Sequence, residues 1–139
     1  MSNMDFYYRE LCADNRRNQT ILIAHGWLGM GEHWMKIGEF LADCGFHVLI
    51  PDLPNHGRSF HSDSMTHNDL ADDILRYLDA HNIDKAYLLG HSLGGKAVMQ
   101  FAIYYPDRVA KLIVVDISPK AYPPHHQGII KALQSVDFN

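Results

Sequence analysis

Cysteine is scarce: Cys12 and Cys44 are the only two in 139 residues, and they lie too far apart for a metal-ligand pair. That excludes a secreted scaffold stapled by disulfides and fits a reducing compartment, with both thiols expected to be buried. Surplus positive charge is also missing, since 12 Lys and Arg face 16 Asp and Glu for a formal charge of −4. Without a basic footprint, nucleic acid and anionic membrane surfaces are poor partners, and a neutral or modestly charged small molecule fits better. No apolar run is long enough to cross a bilayer. The start, Met1-Ser2-Asn3-Met4-Asp5-Phe6-Tyr7-Tyr8, lacks the basic residues and apolar stretch of a signal peptide, so a cytoplasmic protein is expected. Repeats and linkers are absent, and the only biased stretch is Tyr122-Pro123-Pro124-His125-His126. Its two adjacent histidines have no further ligands nearby and read as a polar loop; no metal and no cofactor is expected.

What is present is 47% hydrophobic residues, enough for one domain with a real core. Four short runs, at 20–24, 47–50, 86–89 and 112–115, are apolar without alternation. That pattern suits strands covered on both faces, and the segments between them are long enough for crossover helices. The chain therefore reads as α/β, a mostly parallel sheet with crossover helices, with 6–11 as a candidate antiparallel edge strand. In the first helical tract Trp34, Ile37 and Leu41 share a face, and Gly45 is placed to end it. Thr66 and Asp69 form a capping pair ahead of the inward stripe Leu70, Ile74 and Leu78, with Asp72, Asp73 and Asp79 mostly on the solvated side. A third helix begins near Leu93 and must end near Pro106.

The chemistry concentrates in Gly90-His91-Ser92-Leu93-Gly94, a G-x-S-x-G between the third core strand and a helix. A serine on so sharp a strand-to-helix turn takes strained backbone angles and is presented as a nucleophile. The two glycines let the flanking backbone pass close, and the Leu93 N–H at the helix start can stabilise an oxyanion. The plain alternative is a glycine-rich turn without function. A second loop, His25-Gly26-Trp27-Leu28-Gly29, follows the first core strand and can supply another oxyanion donor, the Trp27 N–H, with Gly26 and Gly29 allowing the bend. His25 itself reads as a loop-fixing residue. Residues 90–96 also satisfy G-x-x-x-x-G-K, the spacing of a phosphate-binding loop. Ala97 stands where that motif needs Ser or Thr for magnesium, so nucleotide binding is disfavoured.

Four motifs in order give the chain a family resemblance: His25-Gly26-Trp27-Leu28-Gly29, Pro51-Asp52-Leu53-Pro54-Asn55-His56-Gly57-Arg58-Ser59, Gly90-His91-Ser92-Leu93-Gly94-Gly95-Lys96 and Asp116-Ile117-Ser118-Pro119. The chain resembles the α/β-hydrolase superfamily, and within it the small bacterial acyl esterases of the YbfF type. The resemblance implies a floor-shaping, structural role for Asp52 and the 55–59 turn. It also implies that Asp116, at the end of the strand after the nucleophile helix, is the triad acid, although an aspartate there can simply cap a loop. In this family the base follows the acid, near the far C-terminus. Only His125 and His126 follow Asp116, neither matches, and no catalytic histidine is assigned.

The resemblance thus implies residues 1–139 as the N-terminal part of a single truncated α/β-hydrolase domain, with the lid region starting at about 120–139. The expected activity is a serine hydrolase cleaving small acyl esters or thioesters through an acyl-enzyme on Ser92, with Asp116 orienting a histidine from outside the chain. The competing expectation is a catalytically incomplete hydrolase-fold fragment that acts as a binding or interaction module. For partners, an acyl substrate is expected, together with self-association or a C-terminal counterpart through the 112–115 strand and the Ile129, Ile130 and Leu133 stripe.

Overall fold

The computed structural model describes residues 6–12, 14 and 19–117. Among them five strands, β1 (Tyr8–Leu11), β2 (Thr20–Ala24), β3 (His47–Pro51), β4 (Ala86–His91) and β5 (Val109–Val115), form one sheet in the order β1-β3-β2-β4-β5. β2 runs parallel to β3 and β4, and β4 parallel to β5. The crossovers are α1 (Met35–Asp43), α2 (His67–Ala80) and α3 (Leu93–Tyr104). β1 is antiparallel to β3, so the early apolar segment supplies the expected edge. The expected lid start at about 120–139, with His125, His126 and the Ile129, Ile130 and Leu133 stripe, lies outside the described residues.

β2 and β3 are buried at every position, which is why their sequences are apolar without alternation. Leu22, Leu49 and Leu88 face α2 and α3, packing with Leu70, Ile74, Leu78, Val98 and Phe101. Ile21, Ile23, Val48 and Ile50 face the other way, toward Trp34, Met35 and Leu41. Phe101 is fully buried, and cutting such a ring back to alanine costs about 3–5 kcal/mol. β5 begins at Val109, earlier than its apolar run, because Lys111 interrupts the pattern without interrupting the pairing with Tyr87. It is the outermost strand on its side among the described residues, and Leu112 and Ile113 stand exposed.

α2 starts as its sequence predicts. Thr66 Oγ1 accepts from the Asp69 N–H at 3.0 Å, and the Asp69 carboxylate accepts from the Thr66 N–H at 2.9 Å. α1 departs from expectation in one respect: Trp34 and Leu41 pack on the sheet, but Ile37 is exposed. The inward face of α1 is centred on Gly38, with Met35, Leu41 and Ala42 around it, and at about 100° per residue Ile37 falls a full step outside that centre. Gly38 takes the inward place instead, so close to β3 that a Cβ there would lie 2.7 Å from Ile50 Cδ1. At the helix end the Gly45 N–H bonds the Ala42 carbonyl and the Phe46 N–H the Leu41 carbonyl. Gly45, at φ 98°, can adopt that left-handed exit without strain. Both cysteines are exposed, which corrects the expectation of buried thiols. Cys12 lies in a left-handed turn just past β1 and Cys44 caps α1, both at element ends where the chain turns out of the core.

Candidate active site

Ser92 joins β4 to α3 with φ 53° and ψ −114°, a conformation non-glycine residues rarely hold. The joint leaves no room for larger neighbours. A Cβ on Gly90 would stand 2.3 Å from the Gly94 carbonyl oxygen, and one on Gly94 would stand 2.1 Å from that of Ala24. The main chain at the ends of β2 and β4 and at the start of α3 is therefore in direct contact. The Ser92 N–H donates to the Val115 carbonyl at 3.2 Å and the Gly94 N–H to the His25 carbonyl at 3.1 Å. The Lys96 N–H closes the first helical turn on Ser92 at 3.0 Å. These amides bond the protein's own carbonyls, which removes the free N–H cradle that a phosphate-binding loop needs.

The 25–29 loop turns tightly, with the Gly29 N–H on the Gly26 carbonyl at 3.0 Å and Leu28 at φ 61°. Two histidines hold it. His25, 1% exposed, accepts the Leu53 N–H on Nε2 at 2.9 Å and donates from Nδ1 to the Gly26 carbonyl at 2.8 Å. A backbone N–H can only donate, so Nε2 carries no proton and the ring is the neutral Nδ1–H tautomer. Burial, above all, pushes its pKa down to about 4; the Gly26 carbonyl resists, and the nearby His56 adds to the depression. His56 repeats the arrangement, accepting the Leu28 N–H at 3.0 Å and facing the Pro54 carbonyl at 2.9 Å, with its ring 5.0 Å from that of His25. Asp52, 1% exposed, anchors the floor. Its carboxylate accepts from the Gly31 N–H at 2.7 Å, the Arg58 N–H at 3.0 Å and Arg9 at 3.2 Å. Burial works to raise its pKa, but these donors outweigh it and hold the carboxyl below its usual range. Gly57, at φ 50°, passes so near that a Cβ would overlap Asp52 Oδ2.

The structure brings Ser92, Leu93, Gly26 and Trp27 to the carboxyl ends of the parallel strands, where α/β sites assemble. A Cβ built on Gly26 would lie 3.3 Å from Ser92 Cβ, so the two loops touch at these residues. A cleft of about 380 Å³ opens there, lined in part by Trp27, His33, Trp34 and His91. A larger hollow of about 660 Å³ lies at the opposite end of the sheet, around Thr20, Phe46 and Lys85, away from this assembly. Asp116 follows β5 at φ 60° with its side chain 85% exposed, and Oδ2 lies 3.9 Å from His91 Nε2, beyond hydrogen-bond length. Sequence reasoning missed His33 and His91 as cleft walls. His91 is only the variable letter in G-x-S-x-G, and nothing local to it signals that Gly26 is its neighbour.

Comparison with known proteins places this geometry. The family model for the alpha/beta hydrolase fold matches residues 19–137. The chain is 34% identical to the Escherichia coli (strain K12) protein named esterase YbfF over 135 residues, 96% of this chain and 53% of that one. It is 35% identical over 127 residues to a Danio rerio protein named sn-1-specific diacylglycerol lipase ABHD11, covering 88% of this chain and 40% of that one. A solved structure described as a marine microorganism esterase superposes with a TM-score of 0.89 at 36% identity, over 97% of this chain and 52% of its own. The chain spans about half the length of the curated relatives it matches. Among the described residues no helix is long and apolar enough to cross a membrane.

Proposed function

The chain belongs to the α/β-hydrolase family, and we propose that it carries the nucleophile half of a serine hydrolase acting on small acyl esters or thioesters. Relatives named as esterases and a lipase support hydrolase activity in general. The observation that carries the finer reading is Ser92, held in a left-handed conformation at a joint where Gly90 and Gly94 exclude every other side chain. Such strain persists only where the surroundings over-determine it, and a serine presented at so sharp a strand-to-helix turn is suited to act as a nucleophile.

In the proposed reaction Ser92 Oγ attacks the acyl carbon while its proton passes to a general base, and the carbonyl oxygen gains the negative charge. The Trp27 and Leu93 N–H groups receive that charge, with Gly26 allowing the loop to approach. Collapse of the intermediate breaks the bond to the leaving group, which takes the proton from the base, and water then releases the acid from Ser92. Asp116 orients the base. That role falls to neither His25 nor His56, because both nitrogens of each ring already have backbone partners. The domain assignment follows the same reading: residues 1–139 form the N-terminal part of one hydrolase domain.

The competing reading, a hydrolase-fold module that binds without turnover, is favoured by one observation. Among the described residues no imidazole is hydrogen-bonded to Ser92, and the ring nearest Asp116 is His91, at 3.9 Å. Labelling with a fluorophosphonate probe and mapping the adduct by mass spectrometry separates the two. An adduct on Ser92 that disappears in Ser92→Ala supports the hydrolase. No adduct on Ser92, in this chain and in its extended form alike, sinks it and leaves the binding module.

A further inference from the structure

His91 has no part in the reaction as written, yet it lines the cleft and touches both Gly26 and Trp34. Its Nδ1 and Cε1 lie 2.8 Å and 3.3 Å from where a Cβ on Gly26 would sit, which places the imidazole directly against that glycine. Ser92 Cβ, 3.3 Å from the same point, forms the other wall of the notch. The ring also meets Trp34, centroid to centroid 5.6 Å with the planes tilted by 50°. Trp34 is itself anchored, packed against the cluster of Ile21, Ile23 and Ile50 on the α1 side of the sheet. The imidazole thus contacts both an anchored indole and the glycine at the base of the 25–29 loop. The loop's other supports, His25 and His56, bond it to the 52–56 segment and so hold it from below. The main-chain bond from the Gly94 N–H to the His25 carbonyl, 3.1 Å, ties the first residue of the loop to the elbow, while Gly26 meets the side chains of His91 and Ser92.

We propose that His91 is a positioning residue: packed against both Trp34 and Gly26, it acts as a wedge whose shape fixes how Gly26 and Trp27 lie against Ser92, and hence the aim of the Trp27 N–H. The inference rests on the hydrolase reading for its catalytic consequence, but the wedge itself is a statement about the loop. Shape is preferred to charge because its ionic partner among the described residues, Asp116, is 3.9 Å away with its side chain 85% exposed. An ion pair so open to water contributes little. The contacts to Gly26 and Trp34, by contrast, are at van der Waals range, and a misplacement of about 1 Å in a reacting site can cost about a hundredfold in rate.

The test uses His91→Ala, which removes the wedge, and His91→Phe, which keeps a ring but can form no ion pair. Two readouts are followed: the backbone amide NMR signals of 26–29, and the rate of fluorophosphonate labelling at Ser92. The expected result is that His91→Ala shifts or broadens those amides and slows labelling about tenfold or more with an unchanged melting temperature. His91→Phe keeps the wild-type loop spectrum and labels within about threefold of wild type. For an ester substrate the loss in His91→Ala falls on kcat and leaves KM in place, because the loop aims at the transition state. Wild-type amides and wild-type labelling in His91→Ala overturn the inference. So does a His91→Phe protein as impaired as His91→Ala, which would hand the role to the Asp116 contact. If wild-type Ser92 takes no label, in this chain and in its extended form alike, while the amides respond as expected, the hydrolase reading fails and the wedge stands.

Discussion

Acid should loosen this domain through His25, in a pH window that the ring's surroundings define. In the folded chain burial drives the pKa down from 6.5 to about 4, and the Leu53 N–H occupies the nitrogen that would accept the proton. The unfolded chain therefore takes up a proton first as pH falls, and stability drops between 6.5 and about 4. Above 6.5 the contribution is fully present, and below about 4 both states are protonated and the loss is complete. At about 1.4 kcal/mol per pH unit, the gap corresponds to about 3 kcal/mol, a large share of the roughly 5–15 kcal/mol that holds a domain together. Urea unfolding at pH 7.5, 6.5, 5.5 and 4.5, followed by tryptophan fluorescence, measures it. The control is His25→Gln, which keeps an acceptor near the Leu53 N–H but does not titrate here. Wild type should lose about 3 kcal/mol more than the variant across the window. Asp52, whose carboxyl is held below its usual range, loses its contribution only at lower pH and so does not mask the difference. Equal slopes for the two proteins would refute the reasoning.

Three further outcomes are expected. Gly94→Ala places a methyl 2.1 Å from the Ala24 oxygen and 2.5 Å from that of His25, both main chain, and should cost about 3 kcal/mol by urea unfolding; an unchanged midpoint would contradict the contact. The Tyr77 hydroxyl is buried and bonds no protein atom among the described residues, so Tyr77→Phe should be neutral or raise stability by about 1 kcal/mol, and a clear loss would reveal a partner. Ile103, Tyr104, Leu112 and Ile113 stand 39–70% exposed on α3 and β5. The isolated chain should therefore self-associate, as read by light scattering over a dilution series, and a sharply unfolding monomer at every concentration would count against it.

β2, β3 and β4 were legible because burial on both faces leaves a short run of apolar residues without alternation, and β5 carries the same run although Leu112 and Ile113 stand exposed. The elbow and the 25–29 loop were legible because their glycines answer to local backbone geometry. The α2 cap was readable from Thr66 and Asp69 alone, since both bonds close within three residues. Ile37 went astray because the stripe was drawn through it, whereas the buried face of α1 is centred on Gly38, a residue with no side chain to signal burial. The wedge was invisible for a different reason. His91 and Gly26 are neighbours only through the pairing of β2 with β4, a long-range fact that no window of sequence contains.

The contact of main chain with main chain at Gly90, Gly94 and Ala24 has a consequence for how such a site can diversify. The serine is gripped by backbone that side-chain replacements do not alter, while Leu28, which lines the cleft at 53% exposure, and Met30 beyond it at 37% support none of that grip. Changes at these rim positions can alter what the cleft admits and leave the reacting group undisturbed. A library randomised at Leu28 and Met30 should thus hold many folded proteins of differing selectivity, whereas one randomised at Gly90 and Gly94 should hold almost none.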